Sequence, residues 1–189
     1  MMEKRIDRRM FLGGATSLAG GAFLCNSAHA QDMPYPLARL RPGRPMHEPI
    51  ALTLTGLNGA TRSLTQERGR PFLLHLWATW CGPCKEELPA LNRFLGVAGQ
   101  DHTVVPVAVA SPLPKVEAYL QAGNLPGIQP WTVDLHALTQ WLALPQPSLP
   151  MTCFMDAQGR LRASVEGPVN WGAADAVDVF HNLVASLEK

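Results

Sequence analysis

The sequence of 189 residues predicts an α/β fold, a mixed central sheet flanked by helices with a β-hairpin and a helix at its C-terminal end. Three observations carry that expectation. Residues 71–77 and 103–110 are nearly continuous apolar runs, as expected of strands buried on both faces. Each is followed by apolar residues at helical spacing, over 82–97 (Leu88, Leu91, Leu95) and over 113–122. Residues 151–156 and 160–166 flank the turn Gln158-Gly159 and form a hairpin, and 173–187 closes the chain as an amphipathic helix.

Taken in chain order, residues 1–30 read as an export signal. A basic start (Lys4, Arg5, Arg8, Arg9) precedes an apolar stretch over 11–25 and a small-residue exit at Ala28-His29-Ala30, so cleavage is expected before Gln31. Arg8-Arg9-Met10-Phe11-Leu12 resembles the twin-arginine motif, and Gly13, Gly14, Gly20 and Gly21 suit that route. The alternative is a retained anchor, but the apolar run of about 15 residues falls short of the roughly 20 that span a bilayer. Cys25 follows the large Leu24 and is expected to leave with the signal. The destination is then the periplasm, where disulfides persist.

Residues 31–49 carry Pro34, Pro36, Pro42, Gly43, Pro45 and Pro49 and read as an arm without regular structure. The domain follows over 50–189. Its first strand is expected over 50–55, at a sheet edge, ending in the Asn58-Gly59 turn. A short strand over 128–133 and a helix over 135–144 complete the middle. Alternating strands and helices imply parallel pairing with right-handed crossovers, to which the late hairpin adds an antiparallel portion.

Composition narrows the function classes. Hydrophobic residues make up 47% and charged residues 16% of the chain, ordinary for a globular domain. Formal charge is +1, and removing residues 1–30 takes away four basic residues and two acids (Glu3, Asp7), leaving −1. Such a surface gives no electrostatic reason to bind nucleic acid or an anionic membrane. Four cysteines are too few for a disulfide framework in a domain this large.

Chemistry concentrates in Cys81-Gly82-Pro83-Cys84, a pair of thiols at the start of a helix. A thiol there feels the helix dipole and free backbone N–H groups, which favour thiolate. Pro is tolerated in a first helical turn. Cys84 lies about one turn inward, within bonding reach but more covered, so Cys81 is expected to attack a partner disulfide and Cys84 to resolve the mixed disulfide. Two structural alternatives are buried inert thiols and half of a zinc site completed by Cys153 and His75. No resident metal and no cofactor are expected.

Trp77-Ala78-Thr79-Trp80-Cys81-Gly82-Pro83-Cys84 resembles a thioredoxin-fold active site, and Lys85-Glu86-Glu87-Leu88-Pro89 resembles its TlpA/ResA-like periplasmic thiol–disulfide oxidoreductase branch. Further matches are Leu149-Pro150-Met151-Thr152, Phe154-Met155-Asp156, Gly159-Arg160 and Gly167-Pro168-Val169-Asn170-Trp171. The resemblance covers roughly residues 50–187. It implies a thioredoxin-like three-layer sandwich, with Pro150 as a cis-proline facing the disulfide. Leu149 would then offer its backbone to an extended partner chain. Pro145 and Pro147 lie nearby, and only the Thr152 and Asp156 match selects Pro150. Glu87 matches an acid held near the cysteines and could take a proton as Cys84 ionises, whereas Glu86 and Lys85 read as solvated. Trp77, Trp80, Gly82 and Pro83 are expected to wall the site, and Trp171 to pack the last helix on the sheet.

His75 departs from the pattern, standing where the family often has Asn. It reads either as a proton relay beneath the disulfide or as a satisfied core histidine. Cys153, where the family usually has Phe, reads as a small buried hydrophobe. The activity implied is mainly reduction of protein disulfides, with electrons from a membrane thiol carrier and targets such as apocytochrome c or a copper-delivery pathway for respiratory oxidase. The alternatives are a disulfide-forming oxidant and a Cu(I)-handling module built from Cys81, Cys84 and Met151. A peroxidase is disfavoured, since no Thr/Cys peroxide-pocket pattern precedes the pair.

Overall fold

The structure, a computed structural model, describes residues 51–98 and 104–187. The expected signal over 1–30 and arm over 31–49 lie outside the described residues. Among the described residues seven strands form one sheet: β1 (Thr53–Thr55), β2 (Thr61–Ser63), β3 (Phe72–Trp77), β4 (Val104–Val109), β5 (Thr132–Val133), β6 (Met151–Met155) and β7 (Leu161–Glu166). Their order is β2-β1-β5-β4-β3-β6-β7. β3, β4 and β5 pair in parallel, and the flanking pairs are antiparallel. Among the described residues four α-helices complete the domain: α1 (Gly82–Val97), α2 (Leu113–Ala122), α3 (Leu135–Leu142) and α4 (Ala176–Leu187). The mixed sheet between helices, with its closing hairpin and helix, is the fold class expected.

Strand parity sorts the side chains into two cores. Leu73 and Trp77 of β3, Val104 and Ala108 of β4 and Phe154 of β6 pack with α1, α2 and α4. The alternate residues, Phe72, Leu74, Leu76, Val105, Val107, Val109, Met151, Cys153 and Met155, pack with Leu138, Trp141 and Leu142 of α3. Burying each large apolar side chain of this kind contributes about 1.5–3 kcal/mol. Pro106 is tolerated in β4 because β5 pairs with that strand only at Ala108 and Val109.

Four elements differ from the expected bounds by more than one residue, each for a local reason. β1 is shorter than 50–55 and is not an edge, because the turn through Asn58 (φ 55°) and Gly59 (φ 75°) folds the chain back into β2, which covers it. β5 keeps only two residues of 128–133, because Pro130 has no N–H for a ladder and Ile128 turns into the core instead. α3 stops before 144 at Ala143, which is left-handed (φ 52°), with Ala143 N–H donating to Gln140 O and Leu144 N–H to Thr139 O. α4 likewise starts at Ala176, after turns closed by Ala173 N–H to Asn170 O and Ala176 N–H to Ala173 O.

Candidate functional site

β3 delivers the cysteine pair to the C-terminal end of the sheet. After Trp77 the chain is tied down by Ser111, just beyond β4. Thr79 N–H and Thr79 Oγ1 donate to Ser111 Oγ at 3.1 and 3.2 Å, and Ser111 Oγ donates to Val109 O at 3.0 Å. That leaves the buried hydroxyl fully used. Nothing in the sequence singled out Ser111, since a lone Ser after a strand carries no motif. Trp80 Nε1 donates to Ala110 O at 3.3 Å, which pins the indole although its side chain is 62% exposed.

Cys81 caps α1. Its backbone is extended (φ −86°, ψ 115°), and its Sγ accepts from Cys84 N–H at 3.2 Å. The two cysteines form a disulfide, with Cα atoms 5.3 Å apart. Gly82 and Pro83 between them are exposed. Cys81 keeps 6% of its surface and Cys84 none. Pro89 inside α1 lacks the N–H that would reach Lys85 O, and Tyr119 Oη donates to that carbonyl instead at 3.4 Å. Burial pushes the Tyr119 phenol up from its ordinary value. Trp77, expected as a wall, is fully buried and stacks at a tilt on Tyr119 with ring centroids 5.7 Å apart. The exposed surface is therefore that of Trp80, Gly82 and Pro83.

One turn after Cys84, Glu87 lies buried on the same face of α1 as Leu88 and Leu91, while Glu86 and Lys85 are exposed. Glu87 Oε2 accepts from Val169 N–H at 2.8 Å. Oε1 lies in close contact with His75 Nε2, 3.1 Å away, and neither atom has a hydrogen-bond partner among the described residues. On its other side, His75 Nδ1 is 3.0 Å from Thr152 Oγ1. Trp171 closes the space, edge-on to His75 at 5.4 Å and tilted against Phe94 at 5.2 Å, and Phe94 in turn meets Phe180 of α4.

The Leu149–Pro150 peptide is cis and leads into β6. Pro150 is buried, and its carbonyl accepts from Gly167 N–H at 2.8 Å. Leu149 is half-buried and packs against the core that includes both cysteines. Since Met151 pairs with Leu76 of β3, this segment reaches the same end of the sheet as the disulfide.

Two expected alternatives are not assembled. Met151 and Cys153 point into the core on the α3 face, across the sheet from Cys81 and Cys84. The zinc set with Cys153 and the copper set with Met151 therefore lack their extra ligand. Burial pushes the Cys153 thiol up to about 12, so it stays protonated at neutral pH. Asp156, used above only as a matching residue, is fully buried and anchors the hairpin turn. It accepts from Gln158 N–H, Arg160 N–H and Arg160 Nε at 2.9–3.0 Å.

Comparison with known proteins agrees with this geometry. Over 117 residues the chain is 29% identical to the thiol-disulfide oxidoreductase ResA of Geobacillus thermodenitrificans, covering 60% of this chain and 64% of that protein. The chain thus matches less than two thirds of the length of that relative. The pneumococcal exposed lipoprotein thioredoxin Etrx1 of Streptococcus pneumoniae superposes with a TM-score of 0.57 at 20% identity, over 73% of this chain and all of that one. A DsbF homologue from Corynebacterium diphtheriae superposes with a TM-score of 0.55 at 23% identity, over 74% of this chain and 86% of that one. The fold is thioredoxin-like, and the expected ResA-like resemblance holds. The family model for AhpC/TSA matches residues 46–164, and the chain belongs to the AhpC/TSA family.

Proposed function

We propose that the protein is a thiol–disulfide oxidoreductase acting mainly as a reductant of protein disulfides. The observation that carries this is the asymmetric couple at the start of α1: a slightly open Cys81 on the helix cap, and a closed Cys84 one turn from a buried carboxylate. In the reduced protein the Cys81 thiolate attacks one sulfur of a substrate disulfide. That bond breaks, the other substrate sulfur leaves as a thiol, and a mixed disulfide forms. Cys84 gives its proton to Glu87, and its thiolate attacks Cys81 Sγ. The second substrate sulfur leaves, and the Cys81–Cys84 disulfide forms. Two electrons have passed from protein to substrate.

Leu149, ahead of Pro150, would hold the substrate as an added strand, and Trp80, Gly82 and Pro83 would supply its apolar platform. The relative ResA bears the name thiol-disulfide oxidoreductase, and another, DsbE of Pseudomonas fluorescens, bears the name thiol:disulfide interchange protein. Both names support this class of activity. We further propose export by the twin-arginine signal to the periplasm and re-reduction there by a membrane thiol carrier. Cytochrome c or copper-oxidase maturation is the setting that fits such a reductant. Among the described residues no helix is long and apolar enough to cross a membrane.

The test is the reduction potential of the couple, measured by equilibration with glutathione, together with catalysed reduction of insulin disulfides. A potential toward that of thioredoxin, about −270 mV, with insulin reduction lost in Cys81→Ser, is expected. A potential near about −120 mV would make the protein an oxidant and overturn the reductant reading. Cys84→Ser, which can attack but not resolve, is then the bait for identifying substrates as trapped mixed disulfides.

A further inference from the structure

His75, Glu87 and Thr152 form a buried polar chain on the disulfide side of the sheet. The contacts run Thr152 Oγ1 to His75 Nδ1 at 3.0 Å, His75 Nε2 to Glu87 Oε1 at 3.1 Å, and Val169 N–H to Glu87 Oε2 at 2.8 Å. His75 and Thr152 are fully buried, and Glu87 is nearly so. Around the imidazole, α1 presents Glu87, β6 presents the Thr152 hydroxyl, the segment before α4 presents the Trp171 ring, and β4 presents Pro106 in register. Glu87 is the charged group in contact with it. Cys84, the other titratable group near this face, lies one helical turn back from Glu87.

The protons on this chain can be placed by counting. A neutral imidazole has one N–H, and which nitrogen carries it depends on its partners. If Nδ1 carried it, Nδ1–H would donate to Thr152 Oγ1. The Thr152 hydrogen would then have no acceptor, because His75 is the only side chain that hydroxyl bonds among the described residues. A buried hydrogen without a partner costs about 1–3 kcal/mol. If Thr152 donates to Nδ1 instead, Nε2 carries the proton and turns it, not a lone pair, toward Glu87 Oε1 at 3.1 Å. The Thr152 hydrogen then has its acceptor, and the carboxylate has Val169 N–H as its hydrogen-bond donor with Nε2–H facing its other oxygen. Donors aimed at a carboxylate favour its ionised form.

Resting on the proton-acceptor role proposed for Glu87, we infer that His75 is a positioning residue. It holds Glu87 as the carboxylate ready to take the Cys84 proton, and Thr152 selects the tautomer that lets it do so. His75 does not touch the reacting sulfurs. Its action is to set the charge of the group that receives their proton.

The reduced protein mixed with excess dithiobis(nitrobenzoate) tests this, because that aromatic disulfide reports both steps. Attack by Cys81 releases one nitrothiobenzoate, and resolution by Cys84 releases the second as the Cys81–Cys84 disulfide forms. Cys84→Ser assigns the second burst by abolishing it. Across the neutral range His75→Leu is expected to slow the second burst relative to the first by about tenfold and to displace its pH profile upward. Thr152→Val should move both in the same direction by less, about threefold, and needs no new volume in the core. His75→Gln, whose amide N–H can stand in for Nε2–H, should restore the ratio to within about threefold of the parent. The inference is overturned if the second-burst profiles of His75→Leu and Thr152→Val superimpose on the parent, or if His75→Gln behaves as His75→Leu does. A Glu87→Gln variant with an unchanged second burst would instead remove the acceptor role of Glu87 itself.

Discussion

Replacing Ser111 with Ala probes how the cysteine loop is held. Ser111 Oγ takes part in three hydrogen bonds of 3.0–3.2 Å, two accepted from Thr79 and one donated to Val109 O. Each contributes about 0.5–1.5 kcal/mol net, and a donor stranded in the interior costs about 1–3 kcal/mol. Thr79 is only half-buried, so water can replace part of what its groups lose, whereas Ser111 itself is buried. The expected loss is about 2–3 kcal/mol, a large share of the 5–15 kcal/mol typical of a domain. For a chain of this size that lowers Tm by about 4–12 °C. Urea and thermal unfolding of the oxidised protein measure it. Thr79→Val removes only the hydroxyl bond and should cost about 1 kcal/mol. With Ser111 already gone that cost should nearly vanish, since the two residues share the interaction. A Ser111→Ala midpoint within about 1 °C of the parent, or full additivity with Thr79→Val, would refute the idea that this hydroxyl holds the loop.

Two further expectations follow from burial and close packing. Cys153 is neutral when protonated and its thiol is raised by burial from an ordinary value of 9.0 to about 12. Its contribution is therefore complete below the unfolded value and is lost as pH climbs through that window toward the folded value. Alkaline unfolding curves should flatten in Cys153→Ala, and an unchanged alkaline limb would show that another group governs it. A methyl group at Gly56 would stand 2.6 Å from the Trp131 ring, so Gly56→Ala must displace a half-buried indole. A loss of about 1–2 kcal/mol with altered tryptophan emission is expected, and a fluorescence spectrum identical to the parent's would contradict it.

Much of the fold was legible because its signals are local. The apolar run 71–77 becomes β3 with every residue buried, and Gly82–Val97 and Leu113–Ala122 are helices with the expected limits. The cysteine pair and Glu87 lie on one helix, so spacing alone puts them on one face. His75 could not be read that way. Its meaning depends on Glu87 across a strand–helix packing and on Thr152, 77 residues distant, and neither separation leaves a periodic trace. Ser111 escaped for the same reason. The metal alternatives failed on parity, which sequence does contain: residues 151 and 153 alternate with 152 and 154. What was missing was the pairing of His75 with Thr152 across β3 and β6, which says which parity faces the disulfide.

That pairing makes the chemistry of the site a matter of phase. β6 presents Thr152 opposite His75 and keeps Met151 and Cys153 behind the sheet. A shift of β6 by one residue, about 3.3 Å along the strand, would exchange the faces and set a thioether or a thiol where the hydroxyl now stands. A hydroxyl that sorts protons and a sulfur that binds soft metals are thus neighbouring solutions on one ribbon.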